Sequence, residues 1–175
     1  MMQGLLCGRS GARGFTLLEM MVTSIIVVIL AAMAITSWDM IQRNRIVSGT
    51  GEVASALGLA RSEAILRQLP VALCAENGEL TDGWRIVVNN PDCAVAGGAL
   101  SGDVLFAREE PLKSVSLCTT GCSVVTPDKF VFGPLGNLVG GPATAVLCVA
   151  GNMKVGREIV VNVAGLVKTS SYDCP

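Results

Sequence analysis

From Met20 to Trp38 the chain runs nineteen residues without a charge, and a carboxylate, Glu19, stands immediately before that run. As a helix the run spans about 28 Å, close to the hydrocarbon thickness of a bilayer, so it has to be covered by lipid or by other apolar helices. The first fourteen residues carry Arg9 and Arg13 and no acid, the charge pattern of an export signal. Three readings compete. A lipoprotein signal at Leu5-Leu6-Cys7-Gly8 lacks the apolar stretch that should precede its cysteine. An ordinary signal peptide would use Met20 to Leu30 as its apolar core and Ala32-Met33-Ala34 as its cleavage site, but it leaves Glu19 without a purpose. The third is a leader cut before the apolar run, which keeps the helix in the mature protein.

Composition narrows the chemistry available to the rest. The chain has no histidine, which removes imidazole metal sites, Ser-His and Cys-His nucleophile pairs and a histidine general base. Thirteen basic residues against fourteen acidic ones give a net charge of −1, so this is no strongly basic nucleic-acid-coating protein. Seven cysteines in 175 residues point to an oxidising compartment.

Gly14-Phe15-Thr16-Leu17-Leu18-Glu19, placed between a short basic leader and an apolar helix, resembles the processing site of type IV prepilins and pseudopilins. The resemblance implies that a membrane-embedded prepilin peptidase cuts between Gly14 and Phe15, that Phe15 is then N-methylated, and that Glu19 acts in filament assembly. Glu19 also has a physical requirement of its own. A carboxylate near the start of a membrane helix costs a few kcal/mol unless it is paired or reaches the interface. The amino group of Phe15 on a neighbouring subunit is the partner that the resemblance implies, and such a pair would set the register of packed helices.

From Asp39 the pattern becomes amphipathic: Ile46, Val53, Leu57, Ala60 and Ala64 recur at helical spacing while Arg43, Arg45, Glu52, Arg61 and Glu63 fall elsewhere. Pro70 ends this helix. Phe15 to Leu69 therefore reads as one helix of 55 residues, about 80 Å long, with fraying or close packing expected near Gly49 and Gly51. The stretch Ala34-Ile35-Thr36-Ser37 has no proline to kink it. Arg61 and Glu63 read as solvated groups or local ion pairs.

Beyond Pro70 short β-branched runs take over: Val71 to Cys74, Trp84 to Val88, Val104 to Ala107, Val115 to Cys118, Phe130 to Phe132, Ala145 to Val149 and Ile159 to Val163. Asn77-Gly78, Asp82-Gly83, Asn89-Asn90-Pro91 and Gly140-Gly141-Pro142 supply turns between them. The short spacing predicts antiparallel meanders with one face covered by the amphipathic helix. Leu59-Ala60-Arg61-Ser62-Glu63-Ala64 and Gly83-Trp84 resemble landmarks of the GspH/FimT family of minor pilins and pseudopilins. The expected fold is thus α+β and pilin-like: a long N-terminal helix, half apolar and half amphipathic, on an antiparallel β-sheet domain. The expected organisation is a cleaved leader 1–14, an apolar helix 15–38 and a periplasmic domain 39–175, divided into an amphipathic helix 39–69 and a β domain 70–175.

Cys7 leaves with the leader, so Cys74, Cys93, Cys118, Cys122, Cys148 and Cys174 remain, an even number in an exported domain. Sequence alone does not choose among their pairings; proximity along the chain favours Cys74 with Cys93, Cys118 with Cys122 and Cys148 with Cys174. A cysteine-only zinc site would need paired CxxC knuckles, which the chain lacks, so neither a metal nor a cofactor is expected. No GxSxG, GxxxxGK[ST], HExxH or GxGxxG motif occurs, and Glu109-Glu110 on a strand would point to opposite faces. No enzymatic activity and no small-molecule substrate follow.

Some members of the family in naturally transformable bacteria bind DNA through basic residues near the C-terminus, which makes Arg157 and Lys168 the candidates here. Leu166 stands where that pattern has an arginine. After loss of Arg9 and Arg13, eleven basic residues face fourteen acidic ones, a net of −3 that opposes phosphate binding. The reading is a non-enzymatic minor pilin of a type IV pilus, anchored once in the bacterial inner membrane with its C-terminal domain in the periplasm. Its expected partners are the prepilin peptidase, other pilins and membrane lipid. A type II secretion pseudopilin and a DNA-binding tip pilin are the alternatives.

Overall fold

The computed structural model describes residues 15–96, 99–100, 102–113, 115–117, 127–149 and 154–175, with residues 34–39, 96 and 99–100 described by backbone alone. Contacts divide the chain into two units, Met1–Asp39 and Met40–Pro175. A single helix, α1 (Leu17–Arg67), supplies the described part of the first unit and the opening of the second. Ten strands follow: β1 (Val71–Glu76), β2 (Glu79–Val88), β3 (Val95–Ala96), β4 (Ala99–Leu100), β5 (Asp103–Arg108), β6 (Val115–Leu117), β7 (Lys129–Phe132), β8 (Ala143–Val149), β9 (Gly156–Val161) and β10 (Val167–Tyr172).

The helix is two residues shorter at each end than its sequence suggests, for local reasons. Thr16 caps it: its hydroxyl accepts the Glu19 backbone N–H at 3.2 Å, so one of the orphan donors of the first turn is satisfied and Thr16-x-x-Glu19 has the spacing of a capping box. At the other end Gln68 takes a left-handed φ of 55° two residues before Pro70, a conformation that stops the helical ladder. In between, the backbone is helical throughout, and no fraying occurs at Gly49 or Gly51. Gly49 packs instead: a Cβ there would sit 3.5 Å from Leu112.

Within the second unit, Gln42, Ile46, Thr50, Val53, Leu57, Ala60 and Ala64 form one buried stripe of α1, the i, i+4, i+7 spacing of a helix pressed on a core. Thr50 is tolerated there because its hydroxyl donates to the Ile46 carbonyl at 2.7 Å. The β strands meet this stripe as two four-stranded antiparallel sheets, ordered β5-β2-β1-β7 and β10-β9-β8-β6, with β3 and β4 as a separate short hairpin. The expected meander is therefore split, because β7 joins the edge of the first sheet beside β1 while β6 pairs with β8 in the second. Inward residues of both sheets, among them Val71, Leu73, Trp84, Ile86, Phe130, Phe132, Leu147 and Ile159, merge with the helix stripe in one core.

Three sequence expectations are corrected. Asp82-Gly83 is no turn but lies inside β2, where Gly83 leaves room for the Arg108 carbonyl on the neighbouring strand. The strand expected over Ile159 to Val163 stops at Val161, and the chain turns through Asn162 to return as β10. That last strand escaped the sequence reading because Lys168-Thr169-Ser170-Ser171 has no apolar alternation; its pairing with β9 supplies what its composition does not. By contrast Asn77-Gly78 is a turn as read: both residues have positive φ, 50° and 82°, as a two-residue hairpin between Glu76 and Glu79 demands.

Both disulfides seen here lie on the outer faces of the sheets, away from the common core. Cys74–Cys93 joins Ala72, Val87 and Val131 on one sheet, and Cys148–Cys174 joins Val146 and Tyr172 on the other. These are two of the three pairings expected from sequence; Cys118 and Cys122 lie outside the described residues. Gly156 lies directly opposite Cys148, and a Cβ there would run into Cys174 Sγ. The 26-residue separation of Cys148 and Cys174 makes this bridge worth about 3 kcal/mol in the chain-entropy model. We therefore expect Cys148→Ser/Cys174→Ser to lower unfolding stability by about that amount in a denaturant titration. Gly156→Val should hinder closure of the same bridge, read as free thiols in a quantitative alkylation assay.

Candidate assembly and binding surfaces

The N-terminal segment is the first candidate. Gly14 lies outside the described residues; Phe15 is the first described residue and is 75% exposed. Leu17, Leu18, Met20, Met21, Ile25, Val28 and Leu30 are all exposed on α1, so the described apolar segment offers uncovered surface around its whole circumference rather than one stripe. Such a surface is stable only in lipid or against further apolar surface. Among the described residues no helix is long and apolar enough to cross a membrane. The described side chains of the run end at Met33, and the uncharged sequence continues to Trp38.

Glu19 is exposed in the first turn of α1, where a negative charge favours the helix dipole. Its carboxylate takes part in none of the ion pairs formed among the described residues. Thr16 is the neighbour that the sequence reading passed over. Its spacing from Glu19 was a legible cap signal, and it orients the turn that presents the carboxylate.

The second candidate, the DNA-binding pair, is not brought together. On β9 and β10 the register sets Arg157 opposite Ser171 and Lys168 opposite Val160. Arg157 shares a face with Ile159 and Val161, which are buried in the core, whereas Lys168 shares the outer face with Glu158 and Ser170. Arg157 is half-buried, and its Nε is enclosed without an acceptor among the described residues. Next to Lys168 on the outer face, the Ser170 hydroxyl donates to Glu158 Oε1 at 2.8 Å, so an acid shares the face on which Lys168 is exposed. Several other cations are already neutralised. Arg85 meets Glu76 at 3.2 Å and Glu109 at 3.5 Å, Arg67 meets Glu63 at 2.8 Å, Lys129 meets Asp92 at 3.4 Å, and Arg108 pairs with Glu52 while stacking on Trp84.

Arg61 corrects its sequence reading, since among the described residues it forms no ion pair and its half-buried guanidinium is held by backbone carbonyls. From the second-last turn of α1 its Nε donates to the Gly136 carbonyl at 3.0 Å and its second guanidinium nitrogen to the Ala164 carbonyl at 3.2 Å. One side chain thereby holds two loops, Gly133–Pro142 and Asn162–Leu166, that are far apart in sequence. The fit needs Gly165 at φ 74°, where a Cβ would meet the Gly136 carbonyl oxygen. Glu63, in contrast, makes the local pair expected of it, with Arg67.

Comparison with known proteins falls in line with this geometry. The family described as Type II transport protein GspH matches residues 50–165, and the prokaryotic N-terminal methylation motif matches residues 9–35. Among curated proteins none matches. Of solved structures, the type IV minor pilin FimU of Pseudomonas aeruginosa (strain PAO1) is similar in two crystal forms. The first, in space group P21, has a TM-score of 0.56 at 20% identity over 73% of this chain and 90% of FimU. The second, in P65, has 0.53 at 19% identity over 70% and 90%. At such identities the likeness establishes the fold.

Two outcomes follow. Arg61→Ala should cost about 1–2 kcal/mol of unfolding stability, because the buried Gly136 carbonyl loses a charged donor while the exposed Ala164 carbonyl can turn to water, with Arg61→Lys recovering part of it in the same titration. A gel-shift titration of the protein against duplex DNA at low and moderate salt should show no salt-dependent retardation, and Lys168→Ala should leave that result unchanged.

Proposed function

Because the chain belongs to the GspH family and carries the prokaryotic N-terminal methylation motif, we propose that it is a structural minor pilin of a type IV pilus. In this reading prepilin peptidase removes residues 1–14 after Gly14 and Phe15 becomes the methylated amino terminus. The apolar helix 15–38 anchors the subunit once in the inner membrane, with the domain from residue 39 onward in the periplasm. The subunit then leaves the bilayer for the filament, exchanging lipid for the apolar helices of other pilins, and acts as a primer or cap of assembly. Family and fold belong to structural subunits rather than enzymes.

The observation that carries this reading is the pairing of an uncovered apolar helix with a Glu19 at its head that forms no ion pair among the described residues. In an apolar filament interior a carboxylate without a cation is unstable by several kcal/mol. The freed amino group of Phe15 on an adjoining subunit supplies that cation at the axial level where Glu19 of the incoming subunit sits. Helix packing alone is tolerant of sliding; the ion pair selects one register. Thr16 supports the selection by fixing the first turn.

The test is a count of surface pili on cells lacking the gene, complemented by the intact gene or by Glu19→Ala. We expect pili to be lost and restored only by the intact form, while Glu19→Ala is still cleaved and still found in the membrane fraction. Normal piliation of the deletion strain combined with a secretion defect would assign the subunit to a type II secretion pseudopilus. Incorporation of Glu19→Ala at the normal level would refute the pairing role.

A further inference from the structure

Ile41, Asn44, Arg45 and Ser48 on α1 form one wall of a cleft of about 460 Å³, and Glu110, Leu112 and Lys113, from the segment that follows β5, form the other. That volume lies in the range of clefts that hold small ligands. Gly49 also lines it and puts no side chain between α1 and Leu112, from which a Cβ there would stand 3.5 Å.

The charges of the cleft carry both signs. Arg108 is satisfied within the domain, since it pairs with Glu52 and its Nε donates to the Glu110 carbonyl at 3.0 Å. The Lys113 ammonium and the Glu110 carboxylate line the same cleft, yet neither enters an ion pair among the described residues. Arg45 adds a second cation, and Asn44 and Ser48 add neutral hydrogen-bonding groups. A wholly apolar occupant would desolvate these charges without matching them. A ligand with an anion, a cation and a short apolar part matches both the charges and the apolar surface of Ile41 and Leu112.

The chain restricts where such a ligand comes from. Ile41 is the third residue after Trp38, the last of the uncharged run. Three residues reach at most about 11 Å however they are arranged, and the polar layer on each side of a bilayer is about 5–8 Å thick. With the apolar helix anchored in the membrane, Ile41 therefore stays within reach of phospholipid headgroups.

We propose that this cleft binds the headgroup of an amino-phospholipid of the bilayer. Lys113 and Arg45 hold the phosphodiester, Glu110 accepts from the ammonium, and the glycerol end of the lipid lies against Ile41 and Leu112. The site rests on the anchoring part of the reading above and deepens it: the domain is held at the membrane by a headgroup of defined chemistry as well as by its helix.

Photo-cross-linking in nanodiscs tests it, with the full chain in equal parts of phosphatidylethanolamine, phosphatidylglycerol and phosphatidylcholine of distinct acyl masses. One preparation carries p-benzoyl-phenylalanine at Asn44, in the cleft. The other carries it at Met40, which is 66% exposed and outside the cleft lining. Intact mass then identifies the lipid in each adduct. We expect phosphatidylethanolamine to be enriched about tenfold at Asn44 relative to Met40. Lys113→Glu should abolish the enrichment, and Glu110→Gln should bring phosphatidylethanolamine and phosphatidylglycerol to equal yield. Adducts at Asn44 that follow the Met40 pattern, enrichment of phosphatidylglycerol or phosphatidylcholine instead, or indifference to both substitutions would overturn the proposal. Displacement of the lipid by millimolar glycerophosphoethanolamine would make this a site for a soluble phosphoester and overturn the lipid assignment, because a tethered bilayer ligand has a far higher effective concentration. A chain that does not remain with the discs would remove the anchoring reading and this site together, whereas a chain that remains without enrichment refutes the site alone.

Discussion

Burial of one stripe of α1, from Gln42 to Ala64, against the inner faces of two sheets is the contact on which the globular unit depends. Val53, Leu57, Ala60 and Ala64 are fully enclosed, and small residues at two of these places let Trp84, Phe130 and Phe132 fill the space between helix and strands. At about 25 cal/mol per Å² of apolar surface removed from water, this shared core is the dominant stabilising term of the unit. Neither sheet could exist alone with one apolar face uncovered, and the helix stripe has no other surface to rest on. The outer faces contribute in a different way. Each carries a small apolar cluster around a disulfide, so covalent closure reinforces places where burial is thin.

Polar groups finish what burial begins. Arg61 ties two loops to the helix through backbone carbonyls, and Arg108 clamps the edge strand β5 to α1 by pairing with Glu52 and covering Trp84. Both act on irregular or edge segments, which lack the ladder hydrogen bonds that fix the central strands. In each case glycine makes the approach feasible: Gly165 beneath Arg61, and Gly83 beside the Arg108 carbonyl. The Gly136 carbonyl that Arg61 holds belongs to a turn that the Gly136 N–H closes by donating to the Gly133 carbonyl.

The first unit follows opposite rules. Its described side chains are all exposed and, apart from Thr16, Glu19, Thr23 and Ser24, apolar, and Glu19 has no cation among the described groups. A segment so constituted is unfinished as a monomer: what stabilises it has to come from lipid or from other chains. The chain thus combines a domain with its own core and a helix that needs apolar surroundings from outside the chain.

The local signals were legible in the sequence because they depend on neighbours along the chain. The uncharged run with Glu19 before it, the helical spacing of Ile46, Val53, Leu57, Ala60 and Ala64, the stop at Pro70, the Asn77-Gly78 turn and seven of the strand cores all follow from composition at short range. The two described disulfides also matched pairing by proximity. What tertiary structure alone decided depends on groups distant in sequence. Strand β7 joins β1 and splits the meander in two; β10 is a strand because β9 offers it a ladder; Arg61 finds carbonyls 75 and 103 residues away; and the strand register sends Arg157 and Lys168 to opposite faces. A sequence records which side chains are apolar or charged, but register and loop closure determine which of them share a surface, and those are settled only when the whole core is packed.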